Sequence, residues 1–390
     1  MQSFDFIAPT NILFGPGRIA EVPAILSAGG IRRCLVVTGR SPQRLEGIVA
    51  LLRSSRIELS VIPIDTEPTL DLVRQGIQQA RDHHCEGVVA VGGGSALDAG
   101  KAIAALLRNE GDVLDFLEVI GHGKELVHPG VPLVTVPTTA GTGAEVTRNA
   151  VLFDPQHRMK VSLRSKWMVP GTALVDPELT FSVPREHTVA SGMDTLTQLI
   201  EPYVCNRTNP ITDGLCLQGM ALAARSLPRV FANGHDAEAR CEMALASLLS
   251  GLALANAGLG IVHGFASPLG GMFDAPHGAI CAALLPYGME ANISALRRDE
   301  QRSPVLNETL SRYRTIARHL TGRSSAEPED GVQAVQALTA SLKVRPLGHF
   351  GMRPEDADEV AEKALNASSM KKNPVALSKE ELKRVYLSAL

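Results

Sequence analysis

The chain contains two loops whose residue types suit phosphate binding. Gly92-Gly93-Gly94-Ser95-Ala96-Leu97-Asp98-Ala99-Gly100-Lys101 stands between an apolar run and an amphipathic one. Glycines let backbone close on a ligand, Ser95 is a helix-capping residue type, and a helix N-terminus presents unpaired N–H groups to an anion. The segment is neither G-x-G-x-x-G nor a Walker loop, and taken alone it also fits an ordinary strand-to-helix turn. A second loop, Pro137 to Thr147 (PTTAGTGAEVT), again follows an apolar run. Its hydroxyls, Thr138, Thr139 and Thr142, lie among glycines and can wrap a nucleotide or nicotinamide. Two such loops in one sheet point to a dinucleotide.

A different chemistry is written further along. In GMDTLTQLIE, Asp194 and Gln198 are four apart, so on a helix they share one face. VHGFASPLGGMFDAPHG adds His263 and His277. Asp, His and His converging from separate helices make a divalent-metal site, with the fourth position taken by Gln198 or by water. Each histidine alone equally suits a satisfied core residue.

Those loops and side chains need elements to hold them. Cys34–Thr38, Ser60–Ile64, Gly87–Val91 and Leu133–Val136 are short apolar runs closed by Gly, Pro or Thr, and read as strands. Between them, Pro42–Ser54, Leu70–His83 and Ser95–Arg108 carry apolar residues at i, i+3 and i+4. The alternation predicts a parallel sheet covered on both faces. Beyond Pro184 the texture turns Ala/Leu-rich and helical, as in Gly214–Val230 and Glu238–Ala257, and Pro170–Pro184 reads as an irregular connection. The expected architecture is an α/β N-terminal dinucleotide-binding domain with a parallel sheet, residues 1–180, followed by an all-α C-terminal domain, residues 181–390.

Composition narrows the partners. Thirty-eight basic and 41 acidic side chains give a net charge of −3, with no excess to grip nucleic acid or an anionic membrane. Six cysteines without a CxxC pair, and a start lacking a basic-then-apolar leader, suit a cytoplasmic protein. The four N-x-S/T triplets, at Asn206, Asn292, Asn307 and Asn366, therefore carry no glycosylation meaning. Met243–Val262 is uncharged over a membrane-spanning length, but its Ser, Asn and Gly residues favour a buried core helix.

GGGSALDAGKA, PTTAGTGAEVT, VDPELT, GMDTLTQLIEPY and VHGFASPLGGMFDAPHG, in this order, resemble the iron-containing (group III) alcohol dehydrogenase family, whose architecture is that of dehydroquinate synthase. The resemblance runs from the FGPG turn at Phe14 to Asn373-Pro374. It implies a nicotinamide dinucleotide, NAD or NADP, across the sheet, and a divalent metal, Fe(II) or Zn(II), holding a substrate oxygen in a cleft between the domains. Small alcohols and their aldehydes or ketones are the implied substrates, with Phe153, Phe265 and Met272 as candidates to line the pocket, and the implied assembly is a homodimer or larger.

Position by position, the resemblance carries the metal ligands to Asp194, His263 and His277; the cofactor is expected to meet Gly92, Gly93, Gly94, Ser95 and Asp98 at its pyrophosphate, Thr138, Thr139 and Thr142 along the nucleotide, and Lys160 at a ribose. Lys160 equally suits a solvated edge-strand position. Three departures matter. Gln198 stands where the family has a ligating histidine, and an amide oxygen is the weaker donor. Pro202 cannot bond the Gln198 carbonyl, which predicts a kink. Ser267 replaces a histidine of the family's proton path, so a hydroxyl or a water chain must serve there. After the first strand, Gly39, Arg40 and Ser41 offer no carboxylate to repel a 2′-phosphate, which favours NADP over NAD. The departures keep three alternatives open: a metal-independent reductase resembling maleylacetate reductases, a lyase using NAD catalytically, and a non-catalytic nucleotide-binding homologue.

Overall fold

Among the described residues, eight strands lie between Asn11 and Val175, most of them separated by helices. They are β1 Asn11–Phe14, β2 Arg33–Thr38, β3 Glu58–Pro63, β4 Gly87–Gly92, β5 Leu133–Pro137, β6 Asn149–Asp154, β7 Met159–Arg164 and β8 Thr172–Val175. The structure is a computed structural model describing residues 3–39, 42–157, 159–299 and 304–390. It divides into two compact units, Phe6–Val183 and Pro184–Leu390, the latter with the first few residues of the chain.

In the first unit the strands form a parallel sheet of order β1-β8-β5-β4-β2-β3, while β6 and β7 make a separate antiparallel hairpin. The helices here are α1 Val22–Ala28, α2 Pro42–Ser54, α3 Leu70–Asp82, α4 Gly94–Leu106 and α5 Val113–Phe116. Successive residues of a strand serve opposite layers. Leu35 and Val37 pack with Val73, Ile77, Leu97 and Ile103, whereas Val36 packs with Val22, Leu26, Ile48 and Leu52. This two-sided burial is why the strands read as unbroken apolar runs rather than alternating ones.

The chain order creates a switch point. From β2 the chain moves outward to β3, then returns to the other side of β2 for β4 and continues to β5. In open α/β sheets ligands bind outside the carboxyl ends of the strands where the winding reverses, here at the ends of β2 and β4.

The second unit is helical throughout its described residues. Its helices are α6 Arg185–Val204, α7 Pro210–Ala232, α8 Ala237–Asn256, α9 Ile261–Met272, α10 His277–Asp299, α11 Pro304–Thr321, α12 Pro328–Ser341, α13 Ala357–Asn366 and α14 Lys379–Ser388. Every residue of α6 from Gly192 to Val204 is buried, under α7, α8 and α10. A helix buried all round is central. Polar residues on it must find partners inside the protein.

Some expectations need correction. Pro170–Pro184 is not wholly irregular, because Thr172–Val175 forms β8 and pairs with both β1 and β5. The segment Met243–Val262 is not one helix: it breaks after Asn256, and α8 and α9 meet at a 95° bend. Glycine makes the break possible, since a Cβ on Gly260 would lie 2.9 Å from Asn373 Oδ1 and 3.1 Å from Glu201 Oε1. The helix carrying Pro202 stays helical through that proline and ends at Val204. Among the described residues, His277–Arg298 is long and apolar enough to cross a membrane, but 72% of that window is buried inside the protein.

Candidate metal centre and dinucleotide site

At the carboxyl edge of the sheet, three strand ends come together. The Gly39 N–H donates to the Val91 carbonyl, and the Thr138 N–H to the Gly92 carbonyl, at 3.2 and 2.9 Å. Side chains larger than hydrogen would not fit between them. A Cβ on Gly92 would lie 2.6 Å from the Ala96 Cβ and 3.2 Å from the Gly39 nitrogen, and one on Gly94 would lie 2.9 Å from Thr142 Cγ2. The two loops expected to hold a nucleotide are thus neighbours at the switch point.

Ser95 does not cap α4. It sits in the first turn, Gly93 holds the cap position, and no side-chain cap bond is made there among the described residues. A helix end left in that state is suited to an anion such as a pyrophosphate. Asp98 faces inward instead: its carboxylate accepts from Lys101 Nζ at 2.8 Å and from the Val151 N–H at 3.0 Å, tying α4 to β6. Burial holds that carboxyl above its usual range, against the pull of Lys101. On β7, Lys160 pairs with Glu67 at 2.8 Å. Arg40 and Ser41 lie outside the described residues.

In the helical unit, Asp194, His263, His277 and Cys281 bring their donor atoms within 4.8 Å of one another. Asp194 Oδ1 lies 3.4 Å from His263 Nε2 and 3.7 Å from His277 Nε2. The carboxylate is 2% exposed, yet Oδ1 has no hydrogen-bond partner among the described residues. A buried carboxylate oxygen without a donor is costly unless a cation completes it. Both imidazoles turn Nε2 toward this oxygen, with ring centroids 5.4 Å apart. These residues fit a divalent ion, and more than a third of the His277 side chain is exposed, so the cluster is open on that side.

The surroundings fix these orientations. Glu201, one turn beyond Gln198 on α6, accepts from His263 Nδ1 at 2.6 Å and from the Val262 N–H at 2.6 Å. A carboxylate only accepts, so His263 Nδ1 carries a proton and Nε2 is the nitrogen left to offer a lone pair to a cation. The bend before α9 frees the Val262 N–H for this contact and the Ile261 N–H for Asn373 Oδ1 at 3.1 Å. Asn373 in turn pairs with Asn292. On α10, a Cβ at Gly278 would lie 2.3 Å from the Ala190 carbonyl oxygen, so its absence lets the His277 end of that helix close on α6.

Charge follows geometry. Burial pushes the Asp194 carboxyl up, but the His277 charge and contacts from His263 and Cys281 bring it below its ordinary value. Burial pushes both imidazoles down, while Cys281 and Asp194 hold them above the usual range, with Glu201 adding to the effect at His263. The cluster attracts positive charge.

Three sequence expectations fall elsewhere. Gln198 directs Nε2 to Asp194 Oδ2 at 3.0 Å, and its Oε1 faces the Ser250 hydroxyl at 3.0 Å, so its oxygen does not point into the cluster. Ser267 is exposed on α9, one turn beyond His263. Phe265 is completely buried in the core. Two participants were missed, Glu201 and Cys281, although helical spacing offered a signal for each: Cys281 is four residues past His277, and Glu201 is three past Gln198.

Residues 9–177 match the sequence family described as "Iron-containing alcohol dehydrogenase", and residues 188–390 match "Fe-containing alcohol dehydrogenase family, C-terminal". Alcohol dehydrogenase 4 of Schizosaccharomyces pombe is 33% identical over 99% of this chain and 89% of its own. The NAD-dependent methanol dehydrogenase of Bacillus methanolicus is 30% identical over 99% of each chain. A crystal structure of 1,3-propanediol oxidoreductase superposes over the full length of both chains with a TM-score of 0.92 and 31% identity.

Proposed function

We propose, from the premise that this chain belongs to the iron-containing alcohol dehydrogenase family, that Asp194, His263 and His277 hold the divalent ion of a dehydrogenase that interconverts a small alcohol and its carbonyl compound with a nicotinamide dinucleotide. The observation that carries the site assignment is the buried, unpartnered Asp194 Oδ1 with two imidazole nitrogens turned toward it. The ion, when bound, supplies a Lewis acid for the negative charge that develops on the substrate oxygen. Everything else falls to the chain's own residues. Glu201 keeps the His263 proton on Nδ1, and Gln198 holds Asp194 Oδ2 so that Oδ1 stays free. The uncapped start of α4, with Gly93, Gly94 and Ser95, binds the pyrophosphate, while Thr138, Thr139 and Thr142 line the nucleotide's path.

Finer points extend this reading. Arg40 and Ser41 after β2 favour NADP(H), and so aldehyde reduction as the working direction. The ion is iron or zinc. All six cysteines are free thiols, which suits the cytoplasm, and the assembly is a homodimer or larger. A metal-independent reductase fits less well, because it would leave the buried Asp194 Oδ1 without a partner.

The test is an alcohol, aldehyde and ketone panel with NAD(H) and NADP(H) in parallel, on metal-defined protein with and without Asp194→Ala. Metal-dependent turnover abolished in the variant is expected. No bound metal together with an unchanged rate in the variant contradicts the reading.

A further inference from the structure

We infer that Cys281 supplies a thiolate as the fourth protein ligand of the metal, in the place left by Gln198; the inference rests on the metal reading above. Buried cysteines usually act as small hydrophobes, and Cys34 and Cys216 are as buried as Cys281. Cys281 differs in what surrounds it. Its Sγ lies 3.7 Å from His277 Nε2 and 4.0 Å from His263 Nε2, beside the carboxylate oxygen that lacks a partner. Among the described residues no other cysteine belongs to such a group of donors.

The distances suit one ion. With bonds of about 2.0–2.1 Å to nitrogen or oxygen and about 2.3 Å to sulfur, a tetrahedral site separates its donors by roughly 3.3 Å, or roughly 3.6 Å where sulfur is one of the pair. The observed oxygen–nitrogen separations are 3.4 and 3.7 Å, and the sulfur–nitrogen ones 3.7 and 4.0 Å. These four need adjust by only a few tenths of an ångström, and all the donor atoms lie within 4.8 Å of one another.

Gln198 cannot take that place without losing a bond. Its Nε2 faces Asp194 Oδ2, and turning the amide over would set oxygen against carboxylate oxygen. The amide therefore serves as a brace for Asp194. Helix geometry explains Cys281 just as simply: His277 and Cys281 are four apart on α10 and so project from one face. Binding exchanges the thiol proton for the ion and releases it to solvent. The ion would then be held by one carboxylate, one thiolate and two imidazoles, a donor set of ordinary zinc-ligand types.

X-ray absorption at the zinc edge of zinc-loaded wild-type protein tests this directly and needs no variant. One sulfur neighbour at about 2.3 Å is expected beside nitrogen and oxygen at shorter distance. Cys281→Ser should lose the sulfur signal and bind zinc at least about tenfold more weakly through the remaining three ligands. Stoichiometric zinc with only nitrogen and oxygen neighbours in the wild type overturns the thiolate assignment and leaves the metal site standing. A sulfur signal that survives in Cys281→Ser also overturns it, by placing the sulfur on another residue. Failure of the wild type to take up zinc, iron or cobalt overturns the metal reading and this inference together.

Discussion

Replacing Glu201 by glutamine changes one atom and should weaken metal binding at a site Glu201 does not touch. Its two oxygens accept from the Val262 N–H and from His263 Nδ1, each at 2.6 Å. Glutamine has one acceptor and one donor end. If its oxygen keeps the Val262 N–H, its NH2 group faces Nδ1, which must then give up its proton to Nε2. That places N–H where a lone pair is needed. The opposite orientation sets two donors against each other at Val262. Outer partners of ligating histidines are typically worth ten- to a hundredfold in metal affinity, or about 1.4–2.7 kcal/mol. This is the range expected for a charge-assisted bond exchanged for a neutral one. The assay is a chelator-competition titration with zinc, read beside the thermal midpoint of the metal-free protein. A Kd raised by ten- to a hundredfold with a modest change in midpoint is expected. An unchanged Kd alongside a lowered midpoint would refute the reasoning, because Glu201 would then only hold α9 in place.

Further outcomes follow from the same contacts. Gly278→Ala puts a Cβ 2.3 Å from the Ala190 carbonyl oxygen, so α10 must back away from α6; a loss of about 1–3 kcal/mol in urea unfolding and weaker zinc binding are expected. Glu145 is buried, and burial pushes its carboxyl up to about 7 from 4.5. The folded protein keeps a proton that the unfolded chain loses above pH 4.5, so this stability is full below that pH and is lost as pH rises through about 7. The loss amounts to roughly 3 kcal/mol. Glu145→Gln should remove it, and urea midpoints at pH 5 and pH 8 should therefore differ less in the variant than in the wild type. Arg40→Ala should raise KM for NADPH several-fold and leave KM for NADH unchanged; equal effects on both would remove the case for 2′-phosphate recognition.

The sheet was legible wherever burial is two-sided. The runs at Cys34, Gly87 and Leu133 are almost wholly apolar because neighbouring residues feed opposite layers, and the strands begin and end within a residue or two of those runs. β8 was hidden by its length of four residues among prolines, and β1 is held only at one edge, by β8. The break after Asn256 was missed because the stretch keeps helical composition. What decides it is tertiary: Gly260 packs against Glu201 and Asn373, residues far away in sequence. At the donor cluster, the convergence of Asp194, His263 and His277 was readable from type and spacing. Gln198 was assigned by position alone, and only the carboxylate facing its amide nitrogen reveals which way the side chain turns. Cys281 offered only its spacing from His277, because a buried cysteine in an apolar helix is ordinary until its neighbours are known.

The most direct test of the central claim is alcohol-dependent reduction of the nicotinamide cofactor, measured on chelator-stripped protein reloaded anaerobically with graded Fe(II) or Zn(II). The rate should rise in proportion to bound metal and level off at about one ion per chain in the wild type, and stay at background in Asp194→Ala. A stripped protein that turns over at the full rate, or an Asp194→Ala variant that does so, would contradict the account.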